Sequence, residues 1–491
     1  MAKDLQKDLQ ELLTGGFLKV VKDNRGEYYC LTDNQQGNTA AYPLYDNEFR
    51  KELKKLYYNQ FNEVLSVQEV QSAVEIIEII GTDTTEEVEV CKRIFNNSYQ
   101  YAYELNREEG TAVWIEDGEV SIEKTSGIIF RHAANYANQI EPNLKVQPEK
   151  LLDYMRKHFN LSSDREIKLL TLYLVTSLWG LRINHPILVL TGEKGSSKSS
   201  SFKKLEELID PKSSELGSGI PRGSDGLEVR LYNGYFVTFD NLSSLSRKIS
   251  DILAVAVTGG SFSKRALYRN ADEIVLDLKA IVAVNGVSLV AKESDLLDRS
   301  VILTLKRIAP DKVLTEEELW AEFEKDRPKM LGACFNVLAA ALNDMEEVQV
   351  RNKIRMADFH VACVKVGRVL GISEEEVSDI LWENQKNINR RTLDEDVVAL
   401  CVIELMQGRN KYVNSMSGLL IDLLDIADKN GMPSTVIPKT ANHLRSRLDK
   451  TKSNLQSEYG ITYHVKNIGT FKQITIKNLK KLAKVATEED S

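Results

Sequence analysis

Hydrophobic positions change their spacing several times along the chain, and each change marks a different kind of element. To about residue 145 an opening helical stretch gives way to strand-like runs at Phe17–Val21, Glu27–Leu31 and Thr111–Ile115, the spacing expected of half-buried strands. This predicts an α+β N-terminal domain over 1–145. EPNLKVQPEK (Glu141–Lys150) holds two prolines and breaks the periodicity, so it is the predicted linker. Helical spacing then covers Leu151–Phe159 and Asp164–Trp179. The continuous apolar run Pro186–Leu190 predicts a buried strand, and the segment from Ser199 through FKKLEELID a helix ending at Pro211. Tyr235–Asp240, Leu278–Gly286 and Val301–Leu305 are further buried strands separated by helical or looped segments, as in a parallel sheet. The pattern is helical from Thr315 to about Met406. The tail, 412–478, has two helices with a turn at Gly431–Pro433 and then two strands, ITYHVK and FKQITIK. That order reads as a winged helix. The fold class is therefore multidomain α/β, with an α/β core at 146–310, a helical domain at 311–406, a winged helix at 407–480 and a tail at 481–491.

Composition narrows the class. A chain of 491 residues exceeds one ordinary core, and 42% apolar with 28% charged residues is globular rather than disordered. No run of about 18 apolar residues occurs and the start MAKDLQKDLQELL lacks a signal-peptide core, so the expected compartment is the cytoplasm, with no membrane partner. The five cysteines, Cys30, Cys91, Cys334, Cys363 and Cys401, form no CxxC pair and have no histidine at metal-ligand spacing. They are expected as buried apolar side chains. The formal charge of −8 speaks against bulk electrostatic attachment to DNA but leaves room for a local basic surface.

GEKGSSKS follows a predicted buried strand and opens a predicted helix, the setting a phosphate-binding P-loop requires. Gly192, Glu193, Lys194, Gly195, Ser196, Ser197, Lys198, Ser199 and Ser200 would surround the phosphates of ATP. Backbone amides and the helix N-terminus favour anionic oxygens, Lys198 reaches the β and γ phosphates, and Ser199 holds Mg²⁺. Ser197 departs from the pattern GxxxxGK[ST], which has glycine there. Asp240, expected on the neighbouring strand, is the second ligand of the Mg²⁺ shell. Asn241 follows it where a water-polarising glutamate is usual; an Asp-Asn pair is also an ordinary turn signal. Asn285 ends the next strand, where a polar side chain can position the lytic water, with a plain turn residue as the alternative. Arg299 precedes the fourth strand, where it can reach the γ-phosphate of a neighbouring subunit or simply pair with an aspartate on the surface.

With these motifs in order, Leu151–Leu342 resembles AAA+ helicases of the superfamily 3 and MCM-like groups. More narrowly it resembles the self-loading replication proteins of staphylococcal pathogenicity islands and cassette chromosomes. The residues that carry this are LTGEKGSSKSS, LIDP, VTFDNLSSL, TGGSFSKRALYRNADEI, AIVAVNG, LLDRSVILTL and RPKMLGACFNVLAAAL. Relatives often carry a small residue other than glycine before the P-loop lysine, and Asp-Asn in the second motif. The resemblance implies a homo-hexameric ring that hydrolyses ATP with Mg²⁺ at subunit interfaces, moves single-stranded DNA through its channel and travels 3′ to 5′. It implies a channel hairpin between the second and third strands, with Lys264 and Arg265 as candidate contacts to DNA phosphates; ordinary surface cations are the alternative. Arg327 is a candidate second sensor of the γ-phosphate; helix-surface charge is the alternative.

Between Met432 and Lys480 basic residues outnumber acids, a local excess in an acidic chain. Arg445, Arg447 and Lys450 on the second helix, with Lys466 on the wing, are candidate contacts to duplex DNA; a basic but purely structural tail is the alternative. The expected function is an ATP-dependent DNA helicase and replication initiator of a mobile genetic element. Two other readings stay open: an ATPase switch or loader that remodels a DNA-bound partner without unwinding, and an origin-binding protein with a structural nucleotide site. The N-terminal domain carries no chemical motif; a primase, a polymerase or an element-encoded regulator are candidate protein partners.

Overall fold

The computed structural model describes residues 4–33, 39–82, 86–97, 99–125, 127–133, 135–213, 219–220, 224–242, 245–265, 273–286, 294–350, 352–469 and 471–480. Helix α1 (Leu5–Thr14) leads into strands β1 (Lys19–Asp23), β2 (Tyr28–Asp33) and β3 (Thr39–Pro43), then helices α2 (Asn47–Phe61) and α3 (Val67–Thr82). Their apolar faces, among them Leu12, Phe49, Leu53 and Ile77, close over Val20, Cys30 and Tyr42 to make a core of their own. The short strands β4 (Glu87–Val88) and β5 (Val90–Cys91) precede an antiparallel meander, β6 (Ile94–Asn96), β7 (Tyr101–Asn106), β8 (Thr111–Glu116) and β9 (Glu119–Lys124). After it β10 (Ile129–Arg131) completes a mixed sheet of order β4-β1-β2-β3-β10-β5. The meander's Tyr101, Tyr103, Val113 and Ile115 are buried in the large core shared with the elements that follow.

Helices α4 (Lys150–His158) and α5 (Asp164–Ser177) enter the centre of the molecule. There β11 (Ile187–Gly192), α6 (Lys198–Ile209), α7 (Ser224–Asn233), β12 (Phe236–Leu242) and α8 (Arg247–Thr258) follow. A two-stranded hairpin, β13 (Ser261–Arg265) and β14 (Glu273–Asp277), comes next, then β15 (Ile281–Gly286), α9 (Ser294–Leu297) and β16 (Ser300–Leu305). The strands β12-β15-β11-β16 pair in that order, parallel throughout. Their continuous apolar runs suit a sheet covered on both faces. The order corrects one expectation. Asp240 is not on the neighbour of the phosphate-loop strand: β15 lies between, because order along a chain does not dictate order across a sheet.

The segment from Thr315 is helical as predicted: α10 (Glu316–Leu342), α11 (Ala357–Val369) and α12 (Glu374–Asp394) pack onto the same core. Thr315 and Glu318 form a capping box that starts α10. The proline-containing segment before α4 lies on α10, with Asn336 Nδ2 donating to the Leu144 and Val146 carbonyls. A separate core holds α13 (Val397–Leu405), β17 (Lys411–Ser415), α14 (Met416–Lys429), α15 (Ala441–Tyr459), β18 (Ile461–Ile468) and β19 (Phe471–Asn478). The predicted two helices and two strands are present, joined by β17, which completes an antiparallel sheet β17-β19-β18.

Long-range ties set the units against one another. Lys92, between β5 and β6, donates to the carbonyls of Leu231, Gly234 and Lys279, and Arg25 in the β1–β2 turn pairs with Asp277 at the base of the hairpin. Burial pushes Lys92 down to about 7. All five cysteines are buried and unpaired. Among the described residues no helix is long and apolar enough to cross a membrane.

Strand β16 is the edge of the parallel sheet, and side chains cover its unpaired backbone groups. Asn384 of α12 accepts from Ile302 N (3.1 Å) and donates to Ile302 O (2.6 Å), as a neighbouring strand would. Glu166 of α5 accepts from Thr304 N at 3.0 Å. Replacing Asn384 with Leu leaves a buried N–H and C=O unmatched, so Asn384→Leu should lower unfolding stability by roughly 2–4 kcal/mol. Chemical denaturation checks this; a loss below about 0.5 kcal/mol would mean that water satisfies the edge.

Candidate functional site

The C-terminal ends of the parallel strands carry the polar residues that the sequence singled out. Strand β11 ends at Gly192, where a Cβ would sit 2.7 Å from both Leu305 O and Ser196 Oγ, so only glycine lets the loop pass. The loop then turns through Gly195 at φ +79° and Ser197 at φ +58° before α6 begins at Lys198. Ser197 thus occupies the left-handed region, the conformation the usual glycine supplies without cost. Ser196 is buried and its Oγ donates to Glu193 O at 2.8 Å. Glu193, Lys194, Gly195 and Ser199 are exposed, while Ser200 is half-buried. Lys198 Nζ donates to the carbonyls of Gly192 and Glu193, each at 2.8 Å. Desolvation lowers its pKa, and the charge of Asp240 opposes that shift.

Asp240 and Asn285 meet at this same edge. Asn285 pairs in register with Leu190 of the phosphate-loop strand, and beyond it β12 bulges between Phe239 and Leu242. Asn241 takes φ +58°, which asparagine tolerates, and its N–H donates to Asn285 Oδ1 at 2.7 Å. Asn285 is 1% exposed, and among the described residues its Nδ2 has no hydrogen-bond partner, nor does the buried Oδ1 of Asp240. Buried polar atoms are rarely orphaned. One donor and one carboxylate oxygen thus lie buried at the end of the sheet from which the β11–α6 loop also leaves.

Two clefts flank the loop. One, of about 580 Å³, runs past Thr191, Gly192, Thr304 and Lys306 to Arg391. Arg391 donates to Thr304 Oγ1 (2.9 Å) and lies 3.4 Å from Thr191 Oγ1. Its place in the last turn of α12, within an unremarkable NRRTLD run, gave no local signal; only the tertiary fold brings it beside the loop. The second cleft, of about 700 Å³, is shared by Ser197 of the loop and Ser200 and Lys204 of α6 with the segments around Phe159 and Ile308. Burial pushes Lys204 down to about 8.

The remaining residues are dispersed. Arg299 lies at the opposite end of the sheet: its carbonyl accepts from Ile187 N (2.8 Å) at the start of β11, five residues and roughly 16 Å of strand from the loop. Within the chain its guanidinium pairs with Asp295, which also binds Arg355 at 2.9 Å. Arg327 is a correction. It is 7% exposed and committed to Glu207 (2.6 Å) and Gln139 (2.9 Å), and Glu207 stands near the far end of α6 from the phosphate loop. Lys264 and Arg265 lie on β13, opposite Ile274 and Glu273; their side chains fall outside the described residues. In the C-terminal unit Arg445, Lys450 and Lys466 lie at the surface, with Arg445 3.9 Å from Asp449. Arg447, exposed as well, pairs with Asp396 at the start of α13 (2.7 Å). Two positions apart on one helix, Arg445 and Arg447 cannot share a face.

Residues 152–377 match the family model of an actinomycete integrative conjugative element replication protein. The match covers the parallel sheet and α10 and α11, and it supports a role in replication of a mobile element. No protein of curated function matches the chain. Among solved structures, the apo NrS-1 C-terminal region aligns over 97% of this chain and all of that one, at 12% identity and a TM-score of 0.39. A second form of it aligns over 96% and 98%, at 11% identity and a TM-score of 0.40. Similarity at that level defines neither a common fold nor an activity.

The left-handed Ser197 should be relieved by glycine. Ser197→Gly is expected to raise unfolding stability by about 1 kcal/mol, read as a higher denaturant midpoint at unchanged slope. A destabilised variant would mean that the hydroxyl contributes more than the backbone strain costs.

Proposed function

We propose that the chain is an ATP-dependent DNA helicase and replication initiator of a mobile genetic element, built on an AAA+ core that works as a hexameric ring. The observation that carries the proposal is the convergence of the phosphate loop with the unpartnered Asp240 Oδ1 and Asn285 Nδ2 at one end of a parallel sheet. The similarity of this segment to a mobile-element replication family supports it at the level of biological role.

The donor set fits a magnesium nucleotide. Ser199 Oγ and the Asp240 carboxylate would hold Mg²⁺, which when bound supplies charge neutralisation to the phosphates. The loop amides receive the β-phosphate, and Lys198 leaves its two carbonyl acceptors for the β and γ oxygens. Asn285 Nδ2 donates to the oxygen of the attacking water and orients it toward γ-phosphorus. Asn241 can neither take a proton nor carry charge, and its backbone bond to Asn285 gives it a positioning role. Attack forms a P–O bond to water and breaks the bond to the β-phosphate oxygen, releasing ADP and phosphate, with one proton of the water retained on the phosphate and the other lost to solvent.

Arg299 is too far along the sheet to serve its own loop, so its action on a γ-phosphate requires a neighbouring copy. The β13–β14 hairpin lies between the second and third core strands, where Lys264 and Arg265 would grip single-stranded DNA in a ring channel. The C-terminal unit acts as a winged helix that holds duplex through Arg445, Lys450 and Lys466, while Arg447 pairs with Asp396 within the unit.

ATP-dependent unwinding of a tailed duplex by particles of about six chains is the expected result, with Lys198→Ala reducing turnover at least about 100-fold by removing the phosphate contact. DNA-stimulated turnover without unwinding would favour a loader instead. Mixing inactive Lys198→Ala and Arg299→Ala chains should restore part of the turnover, since some interfaces then combine an intact loop with an intact arginine. Mixtures as inactive as their components would overturn the assignment of Arg299 across an interface.

A further inference from the structure

Asp295, on the short helix α9, is shared by two arginines from different parts of the chain. Its Oδ2 pairs with Arg299, which leads into β16, and its Oδ1 lies 2.9 Å from Arg355 Nη2, in the connection between α10 and α11. Two guanidinium groups thus flank one carboxylate. Arg355 is set on a firm base, because Ile354 and Met356 on either side of it are buried in the central core and Ile354 N donates to His360 Nδ1 at 3.3 Å. Its side chain nevertheless stands out, 45% exposed against 15% for that of Arg299. Arg299 also donates to the Asp295 carbonyl at 2.9 Å, which keeps it close to its own turn. Of the pair, Arg355 has the freer reach.

A carboxylate held between two guanidinium forks occupies a position that a phosphate fills with more charge and more acceptor oxygens. Asp295 is itself 57% exposed, and ion pairs in water contribute little, so an incoming phosphate can displace it. The second acid on Arg355, Asp298, is the looser contact at 3.4 Å from Nη1. Beside the pair opens a cleft of about 210 Å³, which both arginines line together with Asn184, Thr258 and Asp358. Two cations face one acid there. The balance favours an anion.

Resting on the reading that Arg299 acts across a subunit interface, we infer that Arg355 acts there with it: the two guanidinium groups together receive the γ-phosphate of the neighbouring copy, and Asp295 holds the place of that phosphate in the unassembled chain. Arg355 is then a second catalytic residue supplied in trans. Asp295 is a competitor that assembly on a nucleotide-loaded neighbour displaces.

Turnover of Mg²⁺-ATP by full-length chains, alone and mixed, tests this. Arg355→Ala should lower turnover roughly 10- to 100-fold, the worth of one charge-assisted hydrogen bond, and mixing it with Lys198→Ala should restore part of the loss, because some loops then meet an intact arginine pair. Asp295→Asn separates a contact with phosphate from mere support of Arg299. Removing a competitor should raise turnover about two- to fivefold, the worth of an exposed ion pair; a fall of tenfold or more would make Arg355 and Asp295 a brace for Arg299 and overturn the inference. Wild-type turnover by Arg355→Ala would overturn it as well, as would an Arg355→Ala mixture that stays inactive where the Arg299→Ala mixture recovers, and both results leave the role of Arg299 standing. If neither mixture recovers, the interface reading falls and the inference with it.

Discussion

A parallel sheet buried on both faces has room for polar chemistry only at its ends, because every strand interior must be apolar and every backbone group paired. That constraint organises the centre of this molecule. Leu188, Val189, Val282 and Leu303 are fully buried, and polar side chains return where the strands stop, at Asp240 and Asn285. The edge at which three strands end together is thus a stretch of the sheet where a charged ligand could be met without crossing the core.

The end of a sheet is useful only if its strands stay in place, and the polar contacts around β16 do that work from outside. Asn384 imitates a fifth strand, Glu166 takes the next amide, and Arg391 reaches over Thr304 toward Thr191. One residue earlier on the same helical turn, Arg390 pairs with the largely buried Glu458 of α15 at 3.2 Å. The last turn of α12 is therefore tied at once to the phosphate-loop strand and to the C-terminal unit. Displacing it from one side strains the other.

Much of this was legible in the chain. The buried runs, the loop between β11 and α6 and the two C-terminal helices lie close to where periodicity and motif spacing put them, because each depends on neighbours in sequence; the hairpin lies where the resemblance implied one. Three features were not legible for the same physical reason. The insertion of β15 between β11 and β12 is a lateral choice that no local pattern encodes. Arg327 and Arg447 looked like available surface charge, yet their acids, Glu207 and Asp396, lie 120 and 51 positions away in the chain. Strand β17, KYVNS, is short and has only an intermediate-to-exposed face, so its pairing with β19 comes from the sheet rather than from its composition. Ser197 is the opposite case. Its break from the glycine pattern was visible in sequence, and the left-handed backbone shows what the break entails.

The five thiols offer a different kind of access to this molecule. Cys30 belongs to the α1–α3 core, Cys91 to the small cluster with Ala102 and Phe130, Cys334 and Cys363 to the central core, and Cys401 to the C-terminal one. Each is buried, and burial raises each thiol's pKa, so none should react with an alkylating reagent while its own cluster is closed. Their labelling rates are consequently separate clocks for the opening of separate cores. The chain thereby carries, in its native cysteines, a set of built-in reporters that can distinguish a molecule that unfolds as one body from one that comes apart unit by unit.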